Sequence, residues 1–181
     1  YAQNACLRDK YLSMENFLAA LQMKEKLYAN IDLATGTGKS YVIYGIAQIA
    51  LGLGLVKRVL VLCPTLTIEN GLMQKIEMLS SDASLKALIP ENAVCKNPRV
   101  ISANETVKNG DVCIENIHAV YENTGSSIED SFFDSGNDTL VLNDESHHIF
   151  NRGTDDSSIK KWKEFLLNSK YNFKYMLGFT G

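Results

Sequence analysis

Several features are missing from this sequence, and each absence narrows the reading. There is no run of about 18 apolar residues and no basic-then-apolar N-terminus, so neither a membrane-spanning helix nor a signal peptide is indicated. Cysteine is scarce: Cys6, Cys63, Cys95 and Cys113 are widely scattered, with no zinc-ligand spacing. That usage fits free thiols in a reducing compartment and implies a cytoplasmic protein. The three histidines form no His-x-x-x-His pattern, so no protein-built metal centre is expected. Excess positive charge is also lacking. A net charge of −3 argues against a strongly basic face, although it leaves room for contacts made by backbone N–H groups. Internal repeats and low-complexity tracts are absent. What remains is ordinary for one soluble globular domain: 181 residues, 45% apolar and 22% charged.

Within that plain background, one segment is chemically specific. A short, largely apolar stretch, Ala29 to Ala34, runs into Thr35-Gly36-Thr37-Gly38-Lys39-Ser40. After it, Val42, Ile43, Ile46, Ala47, Ile49, Ala50 and Leu51 recur at helical spacing. Strand, glycine-rich turn and helix together make a phosphate-binding loop. Gly36 and Gly38 permit backbone conformations that let successive N–H groups converge, and the helix N-terminus adds partial positive charge. Lys39 is expected to reach the β- and γ-phosphates, and Ser40 to offer its hydroxyl to Mg²⁺. The general pattern has glycine where this chain has Leu33.

A second run lies 105 residues beyond Lys39. Thr139-Leu140-Val141-Leu142-Asn143 suits a buried parallel strand, and Asp144-Glu145-Ser146-His147 follows it. Carboxylates at the carboxyl end of such a strand stand where open α/β sheets bind ligands. Asp144 is expected to hold Mg²⁺ through water, and Glu145 to orient and help deprotonate an attacking water. Taken alone, the same residues could be a helix cap and a first-turn acid. In combination with the loop they point to hydrolysis of a nucleoside triphosphate.

The rest of the chain alternates. A helix is expected over 14–28, a strand near 29–34, a helix to about 52, and a strand over 56–63 that Pro64 ends. Further helices are expected over about 68–79 and 82–88, with short strands at 99–101 and 111–114. Residues 122–138, rich in Ser, Asn, Asp and Gly, read as a surface loop. Lys160 to Leu167 reads as a helix with Ile159, Trp162, Phe165 and Leu166 inward, and a last strand begins at Tyr175. Such alternation predicts an α/β fold, a parallel sheet with helices on both faces.

These motifs resemble those of the superfamily 2 helicases and translocases. Ala34 to Ser40 is similar to their motif I, in which the position of Leu33 is loose. Asp144-Glu145-Ser146-His147 resembles their DExH motif II, and Leu177-Gly178-Phe179-Thr180-Gly181 the start of motif III. The strings Thr35 to Val42 and Val61-Leu62-Cys63-Pro64-Thr65, with the doubled His147-His148, resemble the restriction (Res) subunit of type III restriction enzymes. The likeness spans residues from about 29 to 181 and implies a RecA-like P-loop NTPase domain preceded by a helical lead-in over 1–28. It implies ATP and Mg²⁺ as cofactors and DNA, rather than RNA, as substrate. A second RecA-like domain, carrying an arginine that completes the ATP site, and a modification (methyltransferase) subunit are implied as partners. Motif Ia would fall at Pro64 and Thr65 and motif Ib at Asn116, both touching a nucleic-acid backbone; each position is also an ordinary strand stop or helix cap. His147 would link the ATP site to Thr180. Asn16 and Gln22 lie near the place of the adenine-reading glutamine of many relatives, but neither fits clearly. ATP over GTP therefore rests on the resemblance and on the lack of an Asn-Lys-x-Asp guanine motif. Two other readings stay open on the residues: an RNA helicase or repair translocase of the same superfamily, and a nucleotide-dependent binding module with little hydrolysis.

Overall fold

The computed structural model describes residues 1–21, 23, 26–34, 36–120, 127–150 and 157–181. Its elements run, in chain order, α1 (Ala5–Tyr11), α2 (Met14–Ala20), β1 (Leu27–Asp32), α3 (Lys39–Gly52), β2 (Arg58–Cys63), α4 (Leu66–Ser81), α5 (Ala83–Ala87), β3 (Arg99–Ile101), β4 (Asp111–Asn116), α6 (Ile128–Phe132), β5 (Thr139–Asn143), α7 (His147–Phe150), α8 (Ser157–Leu167) and β6 (Tyr175–Thr180). The six strands form one sheet in the order β1-β6-β5-β2-β4-β3, and every pairing is parallel. This is the α/β architecture expected from the alternation.

Side-chain alternation along the strands builds two cores. On one face Val59, Val61, Cys63, Val112, Ile114, Leu140, Leu142 and Phe179 meet α3 and α4 through Ile43, Ala47, Leu51, Leu72 and Ile76. On the other, Leu60, Leu62, Cys113, Val141 and Met176 meet α6, α7 and α8 through Ile128, Phe132, Ile149, Trp162, Phe165 and Leu166. Strands β2 and β5 are hydrophobic on both sides because both sides are covered. The cysteines are unpaired, and burial pushes the Cys63 and Cys113 thiols well above their ordinary value, so both act as small core side chains.

The N-terminal segment departs from the sequence expectation. A single helix over 14–28 is not formed: α2 stops at Ala20, with Leu21 in an extended conformation. Met23 is buried in the core, and Leu27 and Tyr28 pair with Tyr175 and Met176 as the first residues of β1. Hydrogen bonding to β6 overrides the helical spacing of the leucines. Asn4 and Ser13 cap α1 and α2 by accepting from Leu7 N–H and Asn16 N–H. The expected loop over 122–138 also contains structure, since Ile128 and Phe132, four apart on α6, are both buried. Gln22 and the side chain of Ile159 lie outside the described residues.

Where β5 ends, a polar residue is built into the core. Asn143 is fully buried, and its Oδ1 accepts a hydrogen bond from Trp162 Nε1 at 3.1 Å. This bond ties α8 to the strand that carries Asp144. Trp162→Phe removes the donor and strands a buried carbonyl, at a cost of about 1–3 kcal/mol before any loss from the smaller ring. Urea denaturation should show that loss as a lowered midpoint with an unchanged m-value.

Candidate functional site

The carboxyl ends of β1, β5 and β6 lie side by side, and the candidate residues emerge from them. Leu33 continues the ladder beyond β1 by donating its N–H to Thr180 O at 2.7 Å, and its side chain packs on the α3 face. Its backbone lies outside the left-handed region, which explains why leucine serves where the general pattern has glycine. The loop then turns through Gly36 at φ +80° and Gly38 at φ +97°. A Cβ at Gly36 would meet nothing within 4 Å, so it is conformation, not space, that requires glycine there. Thr37 closes the turn, its N–H and hydroxyl both donating to Ala34 O, at 3.1 and 2.6 Å. Gly38 caps α3, which places Lys39 and Ser40 at the first two helical positions, where N–H groups lack intrahelical acceptors. Thr35 lies outside the described residues.

Across from the loop, Asp144 extends the β5 ladder by donating its N–H to Leu62 O at 2.8 Å. Glu145 then adopts φ +53°, a left-handed conformation unusual for a side chain of its size, and the chain turns into α7. Three bonds hold this turn. Glu145 N–H donates to Asp144 Oδ1 at 3.1 Å, Ser146 N–H to Phe179 O at 2.7 Å, and Ser146 Oγ to Asn30 Oδ1 at 3.1 Å.

The loop and the turn meet at Lys39. Its Nζ donates to Glu145 Oε1 and lies 3.6 Å from Asp144 Oδ1. Burial raises the Asp144 carboxyl, the Lys39 charge opposes the rise, and the Glu145 charge adds to it. On the far side of Glu145, His147 Nδ1 lies 3.3 Å from Glu145 Oε2 and 3.0 Å from Thr180 Oγ1. With a proton on Nδ1, His147 would donate toward this pair of oxygens. Lys39, Glu145, His147 and Thr180 thus form one continuous polar chain across three strand ends. His148 stacks against His147 with ring centroids 4.2 Å apart.

The donor set is made of oxygens: the Ser40 hydroxyl and the Asp144 and Glu145 carboxylates. Among the described residues no group of three or more His, Cys, Asp or Glu side chains is placed to hold a metal alone. Hard oxygen donors in small number suit Mg²⁺ that arrives with phosphates as its other ligands.

A family model described as type III restriction enzyme, res subunit, matches residues 7–181. The chain belongs to that family. No curated protein shows a significant match. Membership makes the sheet a RecA-like domain of helicase-like ATPase type, and the match takes in most of α1 and all of α2 as well as the motifs. No helix among the described residues is long and apolar enough to cross a membrane.

The positions expected to touch nucleic acid lie further along the sheet, Pro64 and Thr65 after β2 and Asn116 at the end of β4. Thr65 is exposed and caps α4, its Oγ1 accepting from Ile68 N–H at 3.3 Å, with Pro64 just before it. Asn116, by contrast, is internally engaged. Its N–H and side-chain amide both donate to Glu69 Oε2, and its Oδ1 accepts from His118 N–H. Asn116 therefore fastens the end of β4 to the first turn of α4, a role the sequence pattern did not show. Buried Glu69 was not singled out by sequence, because a lone acid on an amphipathic helix carries no pattern; Glu115 was named only with Asn116 at the motif Ib position, and its burial was not foreseen.

Glu115 accepts from Ala103 N–H within the core. Burial pushes its carboxyl up to about 7, the Ala103 N–H pulls it back, and the Glu69 charge raises it further. From its ordinary value of 4.5 up to about 7, the folded state holds a proton that the unfolded chain has released. Stability therefore falls as pH rises through that window, and the full penalty persists above it. Glu115→Gln keeps an acceptor for Ala103 and cannot ionise. Differential scanning calorimetry should find the variant gaining melting temperature relative to wild type between pH 5 and pH 8.

Proposed function

We propose that the chain is the ATP-binding and ATP-hydrolysing first RecA-like domain of a DNA translocase that forms part of a type III restriction endonuclease. The contact that carries this reading is Lys39 with Glu145, which joins the phosphate loop to the carboxylate turn in one cleft. Lys39, Ser40 and the N–H groups from Gly36 to Ser40, with Thr35, would hold the β- and γ-phosphates and Mg²⁺. Asp144 would bind Mg²⁺ through water. The metal would polarise the terminal phosphate. Glu145 would accept a proton from the attacking water, and the His147 Nδ1 proton would hold Glu145 and report its state to Thr180. In this reading residues 1–26 serve as lead-in, and the motor lobe begins with β1, at Leu27 rather than at 29. A second RecA-like domain would supply an arginine, and a methyltransferase subunit the recognition of DNA sites. Pro64 and Thr65 at the start of α4 would meet a DNA strand, and Asn116 would hold that segment in place. Free thiols fit a cytoplasmic setting.

Lys39 is bound to Glu145, so an incoming phosphate would have to compete with that carboxylate. Lys39→Ala should abolish measurable Mg·ATP binding by calorimetry, since the point charge on the phosphates has no substitute. Glu145→Gln should bind ATP at least as tightly as wild type while cleaving it about 10²-fold or more slowly, as for a lost general base. Equal cleavage by Glu145→Gln and wild type would reject the water-activating role.

Steady-state turnover by residues 1–181 should be slow and insensitive to duplex DNA, because an arginine finger is worth about 10³–10⁵ in rate. Brisk, DNA-stimulated turnover would show that this lobe completes its own site.

A further inference from the structure

We infer that Asn30 and Tyr28 of the edge strand β1 are positioning residues for Glu145, acting through Ser146. The inference rests on the reading of Lys39 and Glu145 as the hydrolytic site.

Tyr28 and Asn30 are two apart on β1 and point to the same face of the sheet. Tyr28 OH donates to Asn30 Oδ1, and Ser146 Oγ donates to the same oxygen at 3.1 Å. Burial pushes the Tyr28 phenol up to about 12, so it stays a neutral donor at any working pH. Asn30 pairs in register with Gly178 of β6, which pairs in turn with Asn143 of β5. Ser146 reaches across that rung from the carboxylate turn to β1. The reach is possible only because position 178 has no side chain. A Cβ there would fall far inside contact distance of Asn30 Oδ1, Tyr28 OH and Ser146 Oγ together.

Ser146 stands between Glu145 and His147, and it is nearly fully buried. Its two bonds, one to the β6 backbone and one to Asn30, fix the residue that follows the left-handed Glu145. Strand β1 leads directly into the phosphate loop. The Ser146–Asn30 bond therefore sets the carboxylate turn against the loop from below, while Lys39–Glu145 joins them from above. Releasing the lower bond leaves the loop, and hence nucleotide affinity, intact. It lets the Glu145 carboxylate wander from the attacking water. Asn30 itself is exposed, so a substitution there need not disturb the core.

The test is single-turnover ATP cleavage with the chain in excess, alongside nucleotide affinity by calorimetry. Asn30→Leu, similar in volume but without an acceptor, should lower cleavage at saturating ATP by about 10-fold or more with affinity within about 2-fold of wild type. Asn30→Asp restores the acceptor and should recover cleavage to within about 3-fold of wild type. Ser146→Ala should match Asn30→Leu, and the double variant should add little, as for two ends of one link. Wild-type cleavage by Asn30→Leu would overturn the positioning role while leaving the nucleotide reading in place. So would a parallel fall in affinity, cleavage and melting temperature that Asn30→Asp does not rescue. A wild type that neither binds nor cleaves ATP would remove the nucleotide reading and this inference with it.

Discussion

The ion pair of Lys39 with Glu145 closes a loop of more than a hundred residues, and the site depends on it. Both groups are largely withdrawn from water, with side chains 16% and 25% exposed. A partly buried charge without a partner is costly, so each holds the other in the cleft. The same withdrawal makes the pair chemically useful. In the proposed reaction a phosphate would take over Lys39 with little penalty, because the lysine is already desolvated, and Glu145 would then be released to a water. Asp144 remains beside them, raised by its burial, and an arriving divalent cation would favour its ionised form.

The sheet makes this pairing possible. Three parallel strands, β1, β6 and β5, bring the phosphate loop, Thr180 and the carboxylate turn to one edge. The sheet ladder is extended past the end of β1 by Leu33 N–H to Thr180 O of β6, and past the end of β5 by Asp144 N–H to Leu62 O of β2. Those extra rungs matter more than strand length, because they stiffen the backbone on which the loop and the turn stand. The polar rung Asn30–Gly178–Asn143 lies directly beneath. Trp162 donates to Asn143 Oδ1 on one side and Ser146 reaches Asn30 on the other, so α8, β5, β6 and β1 are cross-linked at the depth of the site.

Much of this was legible in the sequence, for identifiable reasons. The loop is a dense local signal: two glycines with positive φ and a Lys-Ser pair starting a helix leave few alternatives. Strands β2 and β5 were readable because burial on both faces writes an unbroken apolar run. The link of His147 to Thr180 came from the family resemblance, and the two side chains do meet, at 3.0 Å. The illegible parts are those decided by tertiary contacts. Leu27 and Tyr28 look helical until β6 pairs with them. Ile128 and Phe132 are two buried residues in a polar segment. Asn116 matched a contact position by place alone, yet its amide is consumed by Glu69 from another element.

Asparagine in a strand was the signal passed over. Asn30 and Asn143 each interrupt or end an apolar run, and polar residues are disfavoured there unless a partner stands ready. Each has a partner from far along the chain, Ser146 for Asn30 and Trp162 for Asn143, and Asn30 has a second in Tyr28, two residues away. Glycine 178 belongs to the same arrangement. Its φ is unremarkable, so backbone freedom does not explain it; the three oxygens that crowd its empty side-chain position do. In this chain the glycine flanked on its rung by two asparagines is the place where side chains cross over the backbone. Here they cross to fasten the residue that holds the catalytic carboxylate of the proposed reaction.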